Sequence, residues 1–591
     1  MGDSFEVRAP MKALVIQVRA QAGQQVAKGE TLVILEAMKM EHIVAAEQSG
    51  VVTRVHVDPD SMVDEAQPLV SLRAAEVESA NVADAAASID EARADLAEVI
   101  ARHAFGLDEN RPEAVAKRRK TGQRTARENV QDLVDEGSWV EYGALVIAAQ
   151  RQRRPKDELI ARTPADGMLA GMGRINAQLF GEENTRAVVT SYDYTVLAGT
   201  QGTMNHLKKD RMFEVAAEQH LPVVLFSEGG GGRPGDTDYA VVAGLDCRAF
   251  QYFAELSGKV PLVGINSGRC FAGNAALLGC CDVVIATKAS NIGMGGPAMI
   301  EGGGLGVYAP DQIGPSATQY RNGVIDVLAQ DDEEAVAVAK KYLGYFQGEL
   351  HEWDHADQRE LRAAIPENRL RVYEVRKVIE TLADTGSILE LRAGFGHGIV
   401  TALARVEGKP LGIIANNPSH LGGAIDGEAA DKAADFMALC NRFGLPLVFL
   451  CDTPGFMVGP DAEETAMVKR AARLFTTGAS LGVPFCTIVL RKGYGLGAQS
   501  MAGGSFKAPV FTISWPSGEF GGMGLEGAVK LGFRKELESI EDPAARDAMF
   551  QKMVALAYER GKAINMAEHF EIDAVIDPSD TRRWIMTAIR S

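Results

Sequence analysis

No stretch of about 18 consecutive apolar residues occurs anywhere in this chain, so nothing in it reads as a membrane-spanning helix. The opening Met1-Gly2-Asp3-Ser4-Phe5-Glu6 lacks both a basic n-region and an apolar h-region, and a cytoplasmic protein without membrane partners is expected. Cysteine is scarce. The seven present include the adjacent Cys280-Cys281 but no C-x-x-C spacing, which excludes a disulfide framework and a structural zinc site and predicts buried, small apolar residues. Histidines such as His206, His397 and His420 are scattered without metal-ligand spacing, and no metal is expected. Positive charge is also in short supply: 61 Lys and Arg against 79 Asp and Glu give a net charge of −18, which excludes nucleic-acid binding across the whole surface. Neither a Walker A loop nor a G-x-S-x-G elbow is found. Gly522 to Gly527 and Gly493 to Ala498 satisfy dinucleotide-loop spacings formally, but a lone fingerprint of this kind is weak.

What is present is the makeup of a globular protein, 46% hydrophobic and 24% charged, and 591 residues are too many for one core, so three or four domains are expected. The segment Ala74 to Ser88 is alanine-rich, acidic and free of aromatics, and reads as a mobile linker. About 15 such residues reach only about 20 Å if fully flexible, so a long transfer would require the whole preceding domain to swing. The spacing of Ile89, Ala92, Leu96, Val99 and Ile100 then turns helical.

Ahead of that linker, Val15 to Val18 alternate, Gly23 and Gly29 bracket Val26, Thr31 to Leu35 is a β-branched apolar run, and Val51 to Val57 and Leu69 to Leu72 read as further short strands. Midway between these strands stands Glu36-Ala37-Met38-Lys39-Met40. Residues 5 to 72 resemble the biotinyl (biotin carboxyl carrier) domain, a small all-β flattened barrel that exposes its modified lysine on a hairpin. The resemblance implies covalent biotin on Lys39, added by a biotin protein ligase. The methionines on either side separate this class from the lipoyl domains that share the architecture.

The remainder of the chain repeats itself. Leu221-Pro222-Val223-Val224 matches Leu445-Pro446-Leu447-Val448, Lys208 matches Lys432 and Leu197 matches Leu421, all at an offset of 224 residues. Pro261-Leu262 matches Pro484-Phe485 at 223, and Gly137-Ser138 matches Gly386-Ser387 at 249. The drifting offsets indicate insertions between two related halves, 104 to 355 and 356 to 591, with 73 to 103 as linker and leading helix. Buried-strand runs alternate with helical segments in each half, the pattern of βα units on a mostly parallel sheet. Glycine-rich turns follow the strands: Glu228-Gly229-Gly230-Gly231-Gly232-Arg233 in one half and Asp452-Thr453-Pro454-Gly455-Phe456 in the other. Ala272-Gly273 and Leu496-Gly497 are a second such set, with Gly273 and Gly497 again 224 apart. Glycine lets a ligand approach backbone N–H groups, and N–H groups at a helix start stabilise developing negative charge.

These residues, with Thr125-Ala126-Arg127-Glu128, Arg491-Lys492-Gly493-Tyr494-Gly495, and Trp515-Pro516 leading to Met523 through Ala528, carry a second resemblance. Residues 104 to 591 look like the carboxyltransferase of biotin-dependent acyl-CoA carboxylases, a pair of crotonase-like α/β domains of the ββα superhelix type. The resemblance implies a carboxyl transfer from carboxybiotin on Lys39 to the α-carbon of an acyl-CoA, in which the biotin ureido anion takes the α-proton. It assigns the thioester enolate to the N–H groups of Ala272 and Gly273, and the ureido oxygen to those of Leu496 and Gly497 beside Gly495. Gly229, Gly230, Gly231 and Arg233 fall on the substrate-binding turn. Gln499 stands where short-chain relatives place a residue linked to acyl selectivity. Departures from the usual acidic-Ser-Gly-Gly-Ala-Arg and Arg-Lys-Ala-Tyr-Gly-Gly-Ala runs bear on which acyl group is used. The basic cluster Lys117-Arg118-Arg119-Lys120, with Arg124 and Arg127, is a solvated helix face or a contact for CoA phosphates.

No length remains for a biotin carboxylase domain, so that activity, with its ATP and bicarbonate, is expected from a separate partner or from a longer chain. The resemblance also implies a homo-oligomer, a dimer or hexamer, with the two sets of turns acting across subunits. A decarboxylase or transcarboxylase using the same residues is the alternative.

Overall fold

The computed structural model describes residues 4–77, 93–239 and 242–589. It divides into two compact units, residues 1–99 and 100–591. Most of the expected linker, and Ile89 and Ala92 of the expected helix, lie outside the described residues. Leu96, Val99 and Ile100 lie on a helix, Ala94–Ala104.

The first unit is two four-stranded sheets. One orders Ser4–Arg8, Pro68–Ala74, Gly50–Val55 and Gln25–Val26; the other orders Met40–Ala45, Thr31–Ala37, Ala13–Val18 and Met62–Val63. Their inward-facing Val15, Val26, Leu32, Leu35, Leu69 and Leu72 are fully buried. Ala13–Val18 begins by alternating buried and half-buried residues, whereas Thr31–Ala37 buries Leu32 to Leu35 consecutively, and the apolar faces of the two sheets close on each other.

The second unit contains two large mixed sheets of the same plan. In the first, Val140–Glu141, Met168–Arg174 and Arg186–Tyr192 run antiparallel, and Val223–Phe226, Leu262–Asn266, Val283–Thr287 and Val327–Ala329 then continue in parallel. In the second, Leu389–Leu391, Ile399–Val406 and Lys409–Asn416 are antiparallel, followed in parallel by Leu447–Thr453, Phe485–Tyr494, Thr512–Ser514 and Ala574–Val575. The central parallel strands are buried along their whole length and read as continuous apolar runs, as strands covered on both faces do. One core cluster takes in Val224, Val263 and Ile285 of the first sheet and Ile414, Phe449 and Val489 of the second.

The repeat extends to hydrogen bonds. Both Gly-Ser turns begin with glycine at φ 72° (Gly137 and Gly386), and their serines accept from Arg174 N–H and Arg405 N–H at 3.0 and 3.1 Å. Lys208 and Lys432 occupy matching places on the helices Thr203–Gln219 and Gly427–Arg442. Both are buried and donate to backbone carbonyls, Lys208 to Ala165 and Met168 and Lys432 to Phe395, and burial brings both down to about 8.

Candidate functional site

Lys39 sits at the tip of the hairpin joining Thr31–Ala37 to Met40–Ala45, with Ala37 and Met40 as the last paired residues. Its two-residue turn places Met38 at φ 53° and Lys39 at φ 66°. Positive φ at both central residues is the I′ geometry that Asn-Gly normally supplies, so two ordinary side chains are held here against their preference. Met38 is 98% exposed and Met40 66%, which leaves the lysine surrounded by solvent-facing thioethers that contribute nothing to the core. A lysine this accessible fits covalent modification by a biotin-attaching enzyme.

In the second unit, a tightly packed frame stands behind each glycine turn. The strand Val223–Phe226 leads to Glu228 and then to Gly229, Gly230 and Gly231, whose N–H groups donate to Arg269 O (2.8 Å), Ala198 O (3.1 Å) and Asn274 Oδ1 (3.1 Å). A Cβ on Gly229 would lie 2.2 Å from Gly199 O, and one on Gly231 would lie 2.8 Å from the Ala272 Cβ. These glycines are therefore required by close packing, with their N–H groups already in use. Arg233 has its guanidinium buried against Asp166, at 2.6 Å, and Asp236, and its N–H donates to Gln201 O. It braces the turn and presents no free cation.

The second sheet repeats the frame. Gln201 N–H donates to Gly231 O at 2.7 Å, and Ile425 N–H donates to Gly455 O at 3.0 Å; Arg233 N–H to Gln201 O is matched by Met457 N–H to Ile425 O. Glu228 and Asp452 end equivalent strands, and each carboxylate is buried against cations: Glu228 with Arg118 (Nη1–Oε1 3.0 Å), Asp452 with Arg491 (3.0 Å), with Tyr373 Oη also donating.

Against these frames rest the two helix-start turns. Ala272 caps the helix Gly273–Gly279 at φ 51°, ψ −122°, a conformation alanine rarely adopts. Its own N–H donates to Gly293 O at 3.1 Å, so one of the two expected enolate donors is committed to backbone, whereas the Gly273 N–H has no acceptor among the described residues. In the second sheet Gly495, at φ 56°, opens the helix Gly495–Ser500. The Leu496 and Gly497 N–H groups likewise have no acceptor among the described residues. A Cβ on Gly497 would lie 2.6 Å from Gly455 Cα, so this helix start is pressed onto the glycine turn behind it. Tyr494, just before it, donates to Glu519 at 2.8 Å; burial, reinforced by that carboxylate, holds the phenol well above its ordinary range.

Cavities lie beside Glu228 in the first half and beside the Gly495–Ser500 helix start in the second. One of 690 Å³ is lined by Lys117, Arg118, Leu197, Ala198, Glu228 and Arg269. Of the expected basic cluster, Arg118, Arg119, Arg124 and Arg127 pair with Glu228, Glu128, Asp132 and Glu141. Lys117 and Arg269 remain as cations at this cavity, and Arg269 carries no motif by which the sequence could single it out. A second cavity, of 1010 Å³, begins at Gly495 and Gln499 and runs between apolar side chains including Phe520, Leu525, Val529 and Leu556.

An exposed lysine at a hairpin tip and two repeat-related helix starts with open backbone donors are what a group-transfer enzyme holding anions through its main chain would need. Residues 117–591 match the model of the carboxyl transferase domain, and residues 5–72 that of the biotin-requiring enzyme domain. The 12S subunit of methylmalonyl-CoA carboxyltransferase from Propionibacterium freudenreichii subsp. shermanii is 34% identical over 80% of this chain and 90% of that protein. The β4 subunit of a biotin-dependent long-chain acyl-CoA carboxylase from Mycobacterium tuberculosis is 32% identical over 82% and 92%. A solved single-chain, multi-domain long-chain acyl-CoA carboxylase superposes with a TM-score of 0.82 at 57% identity; it covers 99% of this chain, which spans only 56% of that one. A chain of the solved transcarboxylase 12S structure, described as a hexamer assembly, superposes with a TM-score of 0.73 at 31% identity, covering 85% of this chain and 95% of that one. The chain belongs to the carboxyl transferase family. It is a biotin-dependent carboxyltransferase of two crotonase-like domains fused behind a biotin carrier domain. Among the described residues no helix is long and apolar enough to cross a membrane.

Proposed function

We propose that this chain is the carboxyl-transfer and carrier part of an acyl-CoA carboxylase, moving a carboxyl group from biotin on Lys39 to the α-carbon of an acyl-CoA. The observation that carries this reading is the pair of open helix-start turns, Gly273 and Leu496-Gly497, set 224 residues apart on matching frames in a chain that also carries the Lys39 hairpin. Biotin, when bound, supplies a ureido nitrogen that accepts and gives up the carboxyl group. The protein's own part is positional. Gly273, behind its Ala272 cap, faces the thioester oxygen as negative charge develops there. Leu496 and Gly497 face the ureido oxygen. Lys117 and Arg269 lie where the phosphates of an acyl-CoA would meet positive charge, and the Gly229 to Gly231 turn with Arg233 keeps the first helix start in place.

Two observations support a long acyl chain. The cavity that opens at Gln499 is lined mostly by apolar side chains, with Lys507, Arg560 and Glu571 also on its wall, and is large enough for many methylenes. The solved relative at 57% identity is a long-chain acyl-CoA carboxylase. The biotin carboxylase activity, with its ATP and bicarbonate, comes from another protein or from further sequence of the same one, and the site is completed by a second copy of the chain. Cytoplasmic operation and modification by a biotin protein ligase belong to the same reading. The likeness to the 12S subunit favours one other reading, transfer between two carboxylated thioesters. Assay with a biotin carboxylase, ATP and bicarbonate separates the two. A carboxylase turns over only with all three and prefers palmitoyl-CoA to propionyl-CoA; turnover without ATP from a carboxylated donor would replace it with a transcarboxylase.

A further inference from the structure

At the base of the first turn lies a buried polar triad with no counterpart at the second. Lys209 is fully enclosed, and Tyr192 Oη, 2.7 Å from its Nζ, is the one hydrogen-bond partner it has among the described residues. Among the described residues no carboxylate forms an ion pair with it, the nearby Asp166 pairing with Arg233 instead. Gln201 Nε2 donates to the same phenol oxygen at 2.9 Å. Gln201 Oε1 is turned toward the candidate enolate site: a Cβ on Gly273 would lie 2.5 Å from it. Gln201 is held by its main chain to Gly231 and Arg233, so its amide hangs between the glycine turn and the helix start.

The repeat provides the control. Positions 224 residues further on are Asn416, Ile425 and Ala433 in place of Tyr192, Gln201 and Lys209. Ile425 makes the same backbone bond as Gln201, and Ala433 lies buried on the matching helix. The fold therefore closes without a buried amine there. Lys208 is the opposite case, because Lys432 repeats it. An enclosed ammonium without a carboxylate is costly, and at Lys209 the architecture does not require it.

Donor and acceptor counting suggests its use. With a neutral amine, the Tyr192 hydroxyl donates to Nζ, Gln201 Nε2 donates to Oη, and the amide oxygen faces Gly273. With a protonated amine, Nζ donates to Oη and the hydroxyl proton needs another acceptor. A half rotation of the Gln201 amide provides one in Oε1, and brings its N–H donors round to the turn. We propose that Lys209, acting through Tyr192 and Gln201, is a positioning residue whose proton places an amide donor beside Gly273 and so supports the enolate oxygen. This rests on the assignment of the enolate to the first turn.

The surroundings suit a proton that comes and goes near neutrality. Burial lowers Lys209 to about 7, against the raising influence of Cys247, of Asp210 on its own helix and of Asp166, while Arg233 in the glycine turn lowers it further. His206, also on that helix, is brought down to about 3 by burial and stays neutral. The triad's contribution is thus present below about pH 7 and lost above it.

The test is single-turnover transfer of labelled carboxyl from methylmalonyl-CoA and from 2-carboxypalmitoyl-CoA to the full biotinylated chain, between pH 5.5 and 9. The wild-type rate is compared with those of Lys209→Met and of Gln201→Ile, which copies Ile425. The ratio of wild-type to variant rate cancels the pH dependence of biotin itself. It is expected to be about tenfold or more at pH 6 and to converge on one at pH 9, with KM changed by no more than about threefold. A ratio independent of pH, or a change confined to KM, overturns the proposal while leaving carboxyl transfer intact. Absence of label from the wild-type chain with either donor overturns the transfer reading itself, and the triad's role with it.

Discussion

Lys39 and Lys209 show how differently one residue type is used in this molecule. At the hairpin tip, Lys39 is solvent-facing in a turn whose positive φ values cost its two central residues about 1 kcal/mol or more each, and that backbone sets it at the apex. Lys39→Ala is expected to leave the carrier domain folded and abolish biotin incorporation, read by mass spectrometry of the intact chain; incorporation elsewhere would contradict the assignment. Lys209 is enclosed, and its amine is held at about 7 against the usual value near 10.4. Between those values the unfolded chain binds a proton that the folded chain does not, so this group's contribution to stability rises with pH through that window. Below about pH 7 both states are protonated and the full burial penalty applies. Lys209→Met should therefore raise the melting temperature most at pH 6, with the gain shrinking toward pH 10. An increment equal at both pH values would mean that the amine is not the strained group.

Among the elements, the two helix starts are the proposed anion sites, and their glycines are fixed by what stands behind them. A Cβ at residue 497 would meet Gly455 Cα at 2.6 Å, a backbone atom that cannot swing aside. Gly497→Ala should displace the Leu496 and Gly497 donors and reduce carboxyl transfer by about 10²–10³, the usual loss for an anion-stabilising donor, while biotin on Lys39 is unaffected. The cavity at Gln499 gives an element-scale prediction of another kind. Ala557→Phe, which fills it from the helix Pro543–Arg560, should reduce kcat/KM for palmitoyl-CoA by about 10-fold or more and leave propionyl-CoA nearly unchanged, since each lost methylene contact weighs on selectivity. Equal losses for both would place biotin, not the acyl tail, in that space. Much of this level was legible in the sequence. The alternation of Val15 to Val18, the apolar run Thr31 to Leu35, the apolar parallel strands and the 224-residue offset follow from patterning, which is local. What could not be read were hydrogen-bond commitments made over long separations: Arg233 to Asp166, the Ala272 N–H to Gly293, four arginines of the basic cluster to carboxylates. Those partners are chosen by the fold, and no spacing rule announces them. Gln201 and Lys209 escaped for a related reason, because a repeat is recognised by what matches and these residues differ from their counterparts.

For the whole molecule, the joining of a carrier to a carboxyltransferase would, under the proposed reading, make Lys39 at once the product of one enzyme and the substrate of another. The chain spans only 56% of the solved single-chain carboxylase, and under the proposed reading charging of the biotin needs a biotin carboxylase. ATP-dependent carboxylation is accordingly expected only after a biotin carboxylase is added, and purified chain alone should take up at most one carboxyl group per biotin from a carboxylated acyl-CoA, without turning over. The most direct test of the central claim is transfer of labelled carboxyl from malonyl-CoA, methylmalonyl-CoA and 2-carboxypalmitoyl-CoA to the biotinylated chain, with Lys39→Ala alongside. Label held by wild-type protein, absent from Lys39→Ala and greatest with the long-chain donor, is the predicted result. Label retained by Lys39→Ala, or none on fully biotinylated wild-type chain with any donor, would contradict it.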